Sequence, residues 1–110
     1  LRHLIETDEG SHYLGEIALV PYSSPISDTN TVFYNTLYDE NASCHFAIGS
    51  AYSSCIEGGN DIAEEDFDKY GINDSLTHVD FMVGSADLDI VGITHDREEI
   101  QIFKDGNWAF

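Results

Sequence analysis

Cationic side chains are scarce in this 110-residue chain: four Lys and Arg stand against 21 Asp and Glu, for a net charge of −17. That shortage excludes a binder of nucleic-acid backbones, which needs Lys and Arg to displace phosphate counterions. An anionic membrane surface is disfavoured for the same reason. Such a field attracts cations instead, whether metal ions or substrates with a free amino group. The plainer role of most of these carboxylates is a solubilising surface. Long apolar runs are missing too. The longest, IALV, is far too short to cross a bilayer, and no signal-peptide pattern appears. Cysteine is limited to Cys44 and Cys55, too few for a disulfide framework. Their small and apolar neighbours predict two buried free thiols in a reducing cytoplasm. The sequons N-A-S (41–43) and N-D-S (73–75) would matter only in a secreted eukaryotic protein.

Hydrophobic residues at 42% and aromatics at 12% suffice for a folded protein, so residues 1–110 are expected to form a single domain with one modest core. YLGEIALVP (13–21) reads as a strand ended by Pro21, with Glu16 set in an apolar run. SSPISDTN is loop chemistry that offers Asp28, Thr29 or Asn30 as an N-cap. In TVFYNTLYDEN, the i, i+4 pairs Phe33–Leu37 and Tyr34–Tyr38 predict a short helix. ASCHFAIGSAY reads as a strand with a bulge or close approach at Gly49. DIAEEDFDKY before Gly71 predicts a second helix, with Ile62, Phe67 and Tyr70 facing inward. LTHVDFMVGS is a further strand. DLDIVGIT and EEIQIFK form a strand pair joined by HDRE, and D-G-N (105–107) turns the chain into NWAF. The sum is an α+β fold, a strand-rich mixed sheet with two short helices. A start at Leu1 without Met and an end on NWAF suggest a piece of a longer chain, in which any site is incomplete.

Familiar catalytic motifs fail. There is no H-E-x-x-H, G-x-S-x-G, phosphate loop or G-x-G-x-x-G. An EF-hand laid on DFDKYGINDSLT puts Tyr70 at position 5 and Thr77 where calcium needs a bidentate Glu. Cysteine–histidine catalysis is weakly supported: Cys44 and His45 are adjacent on a strand and face opposite ways, and nothing activates Cys55. What remains is a set of ligand-type residues on strands: Glu16, His45, His78 and Asp80. Imidazole and carboxylate donors suit zinc, cobalt or manganese, and a cocatalytic metal pair needs carboxylates to balance its charge. In THVDF, the i, i+2 spacing puts His78 and Asp80 on one strand face. Each has a bland alternative: an edge-strand charge for Glu16, a core histidine bonded to a backbone carbonyl for His45, a hydrogen-bonded surface pair for His78 and Asp80. Spacing alone leaves the two readings even.

LGEIALVP, TLYDENASCHFAIGSAY, NDSLTHVDFMVGSADLDIVGI and DGNWAF, in that order, resemble the C-terminal part of the thermophilic metalloaminopeptidase family, the group of aminopeptidase T, aminopeptidase S and peptidase S. The resemblance runs from about Tyr13 to Phe110. It implies a cytoplasmic homodimeric exopeptidase that uses two divalent metals (zinc, cobalt, or magnesium or manganese) to release N-terminal residues from peptides with a free N-terminus. Carried over residue by residue, it implies metal ligands at Glu16, His45, His78 and Asp80. It also implies a metal-site and catalytic role for Tyr52, seven residues beyond His45. On a flat strand that odd spacing would turn Tyr52 away; a bend or bulge at Gly49 reconciles the two, and a core tyrosine is the alternative. The family's site also uses an upstream glutamate pair, a ligand and a general base, which these 110 residues lack. By that departure the fragment alone is expected to be inactive. The alternative function is a non-catalytic acidic module that binds cations or a partner protein.

Overall fold

The computed structural model describes residues 2–110. Among the described residues, six strands form two three-stranded sheets. The first holds β1 (Leu14–Ala18), β2 (His45–Gly49) and β3 (His78–Met82), in that order. The second holds β4 (Ile90–Ile93), β5 (Glu99–Lys104) and β6 (Asn107–Trp108). Helix is confined to α1 (Arg2–Ile5), α2 (Thr36–Glu40) and short 3₁₀ turns, so the α+β class holds. By Cα proximity the residues group into two compact units. One contains the residues up to Ile17 with Phe46–Phe81; the other contains Ala18–His45 with Met82–Phe110. No helix among the described residues is long and apolar enough to cross a membrane.

In the first unit, β2 alternates buried and half-buried positions, the period of two that a covered strand requires. The strand ends at Gly49, whose φ of +101° lies where L side chains rarely go. The sequence led us to expect a close approach here, and the contact is severe: a Cβ on Gly49 would lie 2.1 Å from the Thr77 carbonyl oxygen. The segment before Gly71 is a 3₁₀ helix, Glu64–Tyr70, and not the α-helix its pattern predicts. Gly71 closes it in the left-handed region, and the Ile72 N–H then bonds the Phe67 carbonyl. That reversal puts Ile72 in the core, 3% exposed, and leaves the expected inward residue Tyr70 exposed.

Asp8 ties the start of this unit to the loop before β3. Its carboxylate accepts from the Leu76 N–H at 2.7 Å, the Ser75 hydroxyl at 2.8 Å and the Ser11 N–H at 2.8 Å. The Leu76 and Ser75 bonds, in that order, hold its pKa below the ordinary 3.8. The unfolded chain therefore binds the proton first as pH falls. Asp8 contributes stability in full above 3.8, and that contribution disappears as pH drops through the lower folded value. Urea midpoints measured from pH 7 down to pH 3 are expected to fall less steeply over the acid end in Asp8→Asn. Parallel curves for the two proteins would contradict this role.

In the second unit, β4 and β5 pair antiparallel, with Gly92 opposite Ile100 and Ile93 opposite Glu99. Asp105 and Gly106, at φ 48° and 74°, make the two-residue turn into β6, the left-handed pair that matches strand twist. Phe103 is fully buried and meets Trp108 edge-on, with ring centroids 4.5 Å apart. Helix α2 starts later than its periodicity predicts. Tyr34 has φ 54°, so it cannot continue a helix, and the cap is Asn35, whose side chain accepts from the Tyr38 N–H, in place of Asp28, Thr29 or Asn30. The Asp39 carboxylate reaches back to the Phe33 and Asn35 N–H groups and fixes this start. Cys44 is buried, its thiol bonded to both backbone groups of Val20. In the first unit Cys55, expected inside, is exposed on a 3₁₀ turn, Ser53–Cys55, that lifts it out of the strand. Both thiols are free.

Candidate metal centre

His78 and Asp80 share a face of β3, as their spacing requires, and their side chains meet: Nε2 of His78 lies 3.4 Å from Oδ1 of Asp80. Glu16, on β1, brings Oε2 to 3.3 Å from the same nitrogen. β2 lies between these two strands in the sheet order. Its Ala47 is fully buried. Glu16, His78 and Asp80 are each partly covered, with side-chain exposures of 29%, 21% and 14%. They stand in a half-dry setting that solvent still reaches.

The hydrogen bonding fixes the role of the other ring nitrogen. Nδ1 of His78 lies 2.7 Å from the Ser50 carbonyl oxygen, which can only accept. Nδ1 therefore carries the proton. In the neutral imidazole, Nε2 then presents its lone pair to two carboxylates. His45, 1% exposed at the start of β2, repeats the pattern, with Nδ1 2.9 Å from the Ser43 carbonyl. A ring N–H held by a backbone oxygen, with the other nitrogen turned to carboxylates, is the arrangement that orients imidazole toward a metal.

With Nε2 unprotonated, three electron-rich atoms face one point and repel one another unless a cation, a proton or a metal ion, stands among them. Oδ1 of Asp80 is buried without a hydrogen-bond partner, 3.4 Å from Nε2 of His78. This nitrogen and oxygen donor set, with an orphaned buried carboxylate oxygen at its centre, fits a divalent transition metal.

Tyr52 lies three residues past the bend at Gly49. Its ring centroid is 5.0 Å from that of His78, at 51°, and the residue is 54% exposed. The turn after β2 thus carries it to the same end of the site despite its odd spacing from His45. The sequence gives no sign of the two carbonyls, of Ser43 and Ser50, that orient the histidines, since every residue carries that atom. The adjacent Cys44 thiol is occupied by Val20, which leaves no support for a cysteine nucleophile there.

The chain has relatives of similar sequence. The chain is 64% identical over 110 residues to aminopeptidase AmpS of Bacillus subtilis (strain 168), covering all of this chain and 27% of that protein. It is 57% identical to aminopeptidase 2 of Geobacillus stearothermophilus, with the same coverage. The solved structure of wild-type AmpT from Thermus thermophilus superposes with a TM-score of 0.85 at 46% identity, covering 99% of this chain and 26% of that one. The chain thus spans about a quarter of the length of the relatives it matches. The family model described as thermophilic metalloprotease (M29) matches residues 1–108, nearly the whole chain, and the chain belongs to that family.

Proposed function

We propose that the chain is the C-terminal metal-binding portion of an aminopeptidase that releases N-terminal residues from peptides with the help of two divalent metals. The observation that carries this reading is the convergence of His78 Nε2 on the carboxylates of Glu16 and Asp80. In it, Glu16, His45, His78 and Asp80 are metal ligands, with Glu16 shared between the two ions. When bound, such ions polarise the scissile carbonyl and lower the pKa of a coordinated water from about 16 toward 7. The chain's own residues do the rest of the local work. The carboxylates balance the metal charge and attract the substrate's α-ammonium group, in keeping with the net charge of −17. Ser50 and Ser43 hold the imidazoles in the ligating tautomer. Tyr52, with its ring against His78, directs its phenol toward the substrate and donates to the oxyanion that forms at the scissile carbonyl.

In this reading the general base is a glutamate outside these 110 residues, so the chain alone binds metal without hydrolysing peptide. The native metal is zinc, cobalt, or magnesium or manganese, and the full-length protein is a cytoplasmic homodimer. The test is a chimera in which this chain replaces the matching residues of the Bacillus subtilis relative. It is expected to hydrolyse a leucine anilide, to lose that activity on chelation, and to regain it with zinc, cobalt or manganese. The isolated chain should bind zinc stoichiometrically, more weakly as pH falls because protons compete for the ligands. A folded chimera that is inactive, or active regardless of chelator, would contradict the reading. Weak binding indifferent to both histidines would support an acidic cation-binding module instead.

A further inference from the structure

We propose that Asn73 is the positioning residue of the metal centre, acting through the Ser50 carbonyl that orients His78. The inference rests on the reading of His78 as a metal ligand. Ser50 sits between two peptide planes, and residue 73 holds both. The plane between Ser50 and Ala51 carries the carbonyl that accepts from His78 Nδ1 at 2.7 Å, and on its opposite edge the Ala51 N–H donates to the Asn73 carbonyl at 2.8 Å. The plane between Gly49 and Ser50 carries the Gly49 carbonyl, which accepts from the Asn73 side-chain amide at 2.5 Å, while the Ser50 N–H donates to Thr77 at 2.7 Å. The second hydrogen of the same amide goes to the Gly10 carbonyl at 2.8 Å, four residues before β1 begins at Leu14.

One half-buried side chain thus joins the turn that launches β1 to the turn that ends β2, and its backbone fixes the plane whose oxygen sets the His78 tautomer. An amide with two N–H donors is what two converging carbonyls need, and Asp, Ser or Ala cannot supply both. Gly15 leaves these carbonyls the room they occupy, since a Cβ there would come within 2.3 Å of the Ser50 oxygen and 2.4 Å of the Gly49 oxygen. Asn73 touches neither substrate nor metal in this account.

The test compares zinc affinity, by competition titration, in the wild-type chain, Asn73→Asp, Asn73→Ser and His78→Ala, with circular dichroism as a check on folding. Nitrogen-15 shifts of the His78 ring in the metal-free chain report the tautomer directly. Asn73→Asp adds negative charge near a cation site, so simple electrostatics predicts tighter binding. Loss of the two donors predicts the reverse, a fall of about tenfold, the low end of the range for groups that support a ligand. The His78 ring is expected to shift toward a mixture of tautomers. Asn73→Ser, which keeps one short donor, should lie between, and it decides the matter alone if Asn73→Asp does not fold. Wild-type affinity and ring shifts in the folded variants, with binding lost in His78→Ala, would overturn the role of Asn73 and leave the metal reading standing. Wild-type binding in His78→Ala would overturn both.

Discussion

Replacement of His78 by Ala is expected to lower zinc affinity by more than about 100-fold, the ceiling for loss of a merely supporting group. The chain should remain folded. His78 is only half-buried, and it meets the Ser50 carbonyl, the two carboxylates and the ring of Tyr52, none of which belongs to an apolar core. Removing the ring takes away one nitrogen donor and leaves Glu16 and Asp80 facing each other without it. Those carboxylates still attract cations, so residual binding should become less selective, with zinc losing its advantage over magnesium. In the chimera with the Bacillus subtilis relative, the same substitution should abolish chelator-sensitive hydrolysis. Competition titration of the isolated variant separates loss of metal from loss of fold. Unchanged zinc affinity in a folded His78→Ala chain would remove His78 from the ligand set.

The second large effect is structural. Gly49→Ala is expected to destabilise the chain by about 3 kcal/mol or more. Holding a non-glycine residue in a sparsely populated region costs roughly 1–3 kcal/mol. Overpacking adds a further cost of about 1–3 kcal/mol. Here the obstacle is backbone, since the new Cβ would meet the Thr77 carbonyl oxygen at 2.1 Å and its carbon at 2.7 Å. Neither can move without carrying the start of β3, and Thr77 is the residue before His78. Thr77 also accepts the Ser50 N–H. The damage therefore reaches the site, and zinc affinity should fall together with the urea midpoint. A Gly49→Ala chain with wild-type stability would show that the bend has another cause than glycine's missing side chain.

Much of the fold was legible because strand signals here are local. LGEIA, HFAIG, HVDFM and the hairpin around Asp105–Gly106 carry their own period and turn chemistry, and the strands lie where those patterns put them. Helices were less legible. The pairs Phe33–Leu37 and Tyr34–Tyr38 mimic one helical face, yet the left-handed backbone at Tyr34 and the reach of Asp39 to two N–H groups delay the start to Thr36. Before Gly71 the pattern correctly marked a helical segment and its end. It did not distinguish an α-helix from a 3₁₀ helix.

For the site, the strand period explains why His78 and Asp80 meet, but nothing in the spacing brings Glu16 to them from the far side of β2. That is a property of sheet order. Local pattern argued against Tyr52 until the bend at Gly49 was considered, and its ring now lies against His78. The groups that orient the two histidines are main-chain oxygens, which no residue type announces. Asn73 stands in a run that reads only as a turn, and its two donors matter because chain segments far apart in sequence present carbonyls to it.

The most direct measurement of the central claim is X-ray absorption at the zinc edge of the loaded chain. If Glu16, His45, His78 and Asp80 hold the metal, the first shell contains only nitrogen and oxygen at roughly 2.0–2.2 Å, with imidazole scattering beyond it. Loading the His78→Ala chain should remove part of that imidazole signal. A sulfur shell at roughly 2.3 Å would place the metal on Cys55 or Cys44. An oxygen-only shell without imidazole would reduce the centre to a cluster of acidic groups, and either result would contradict the account.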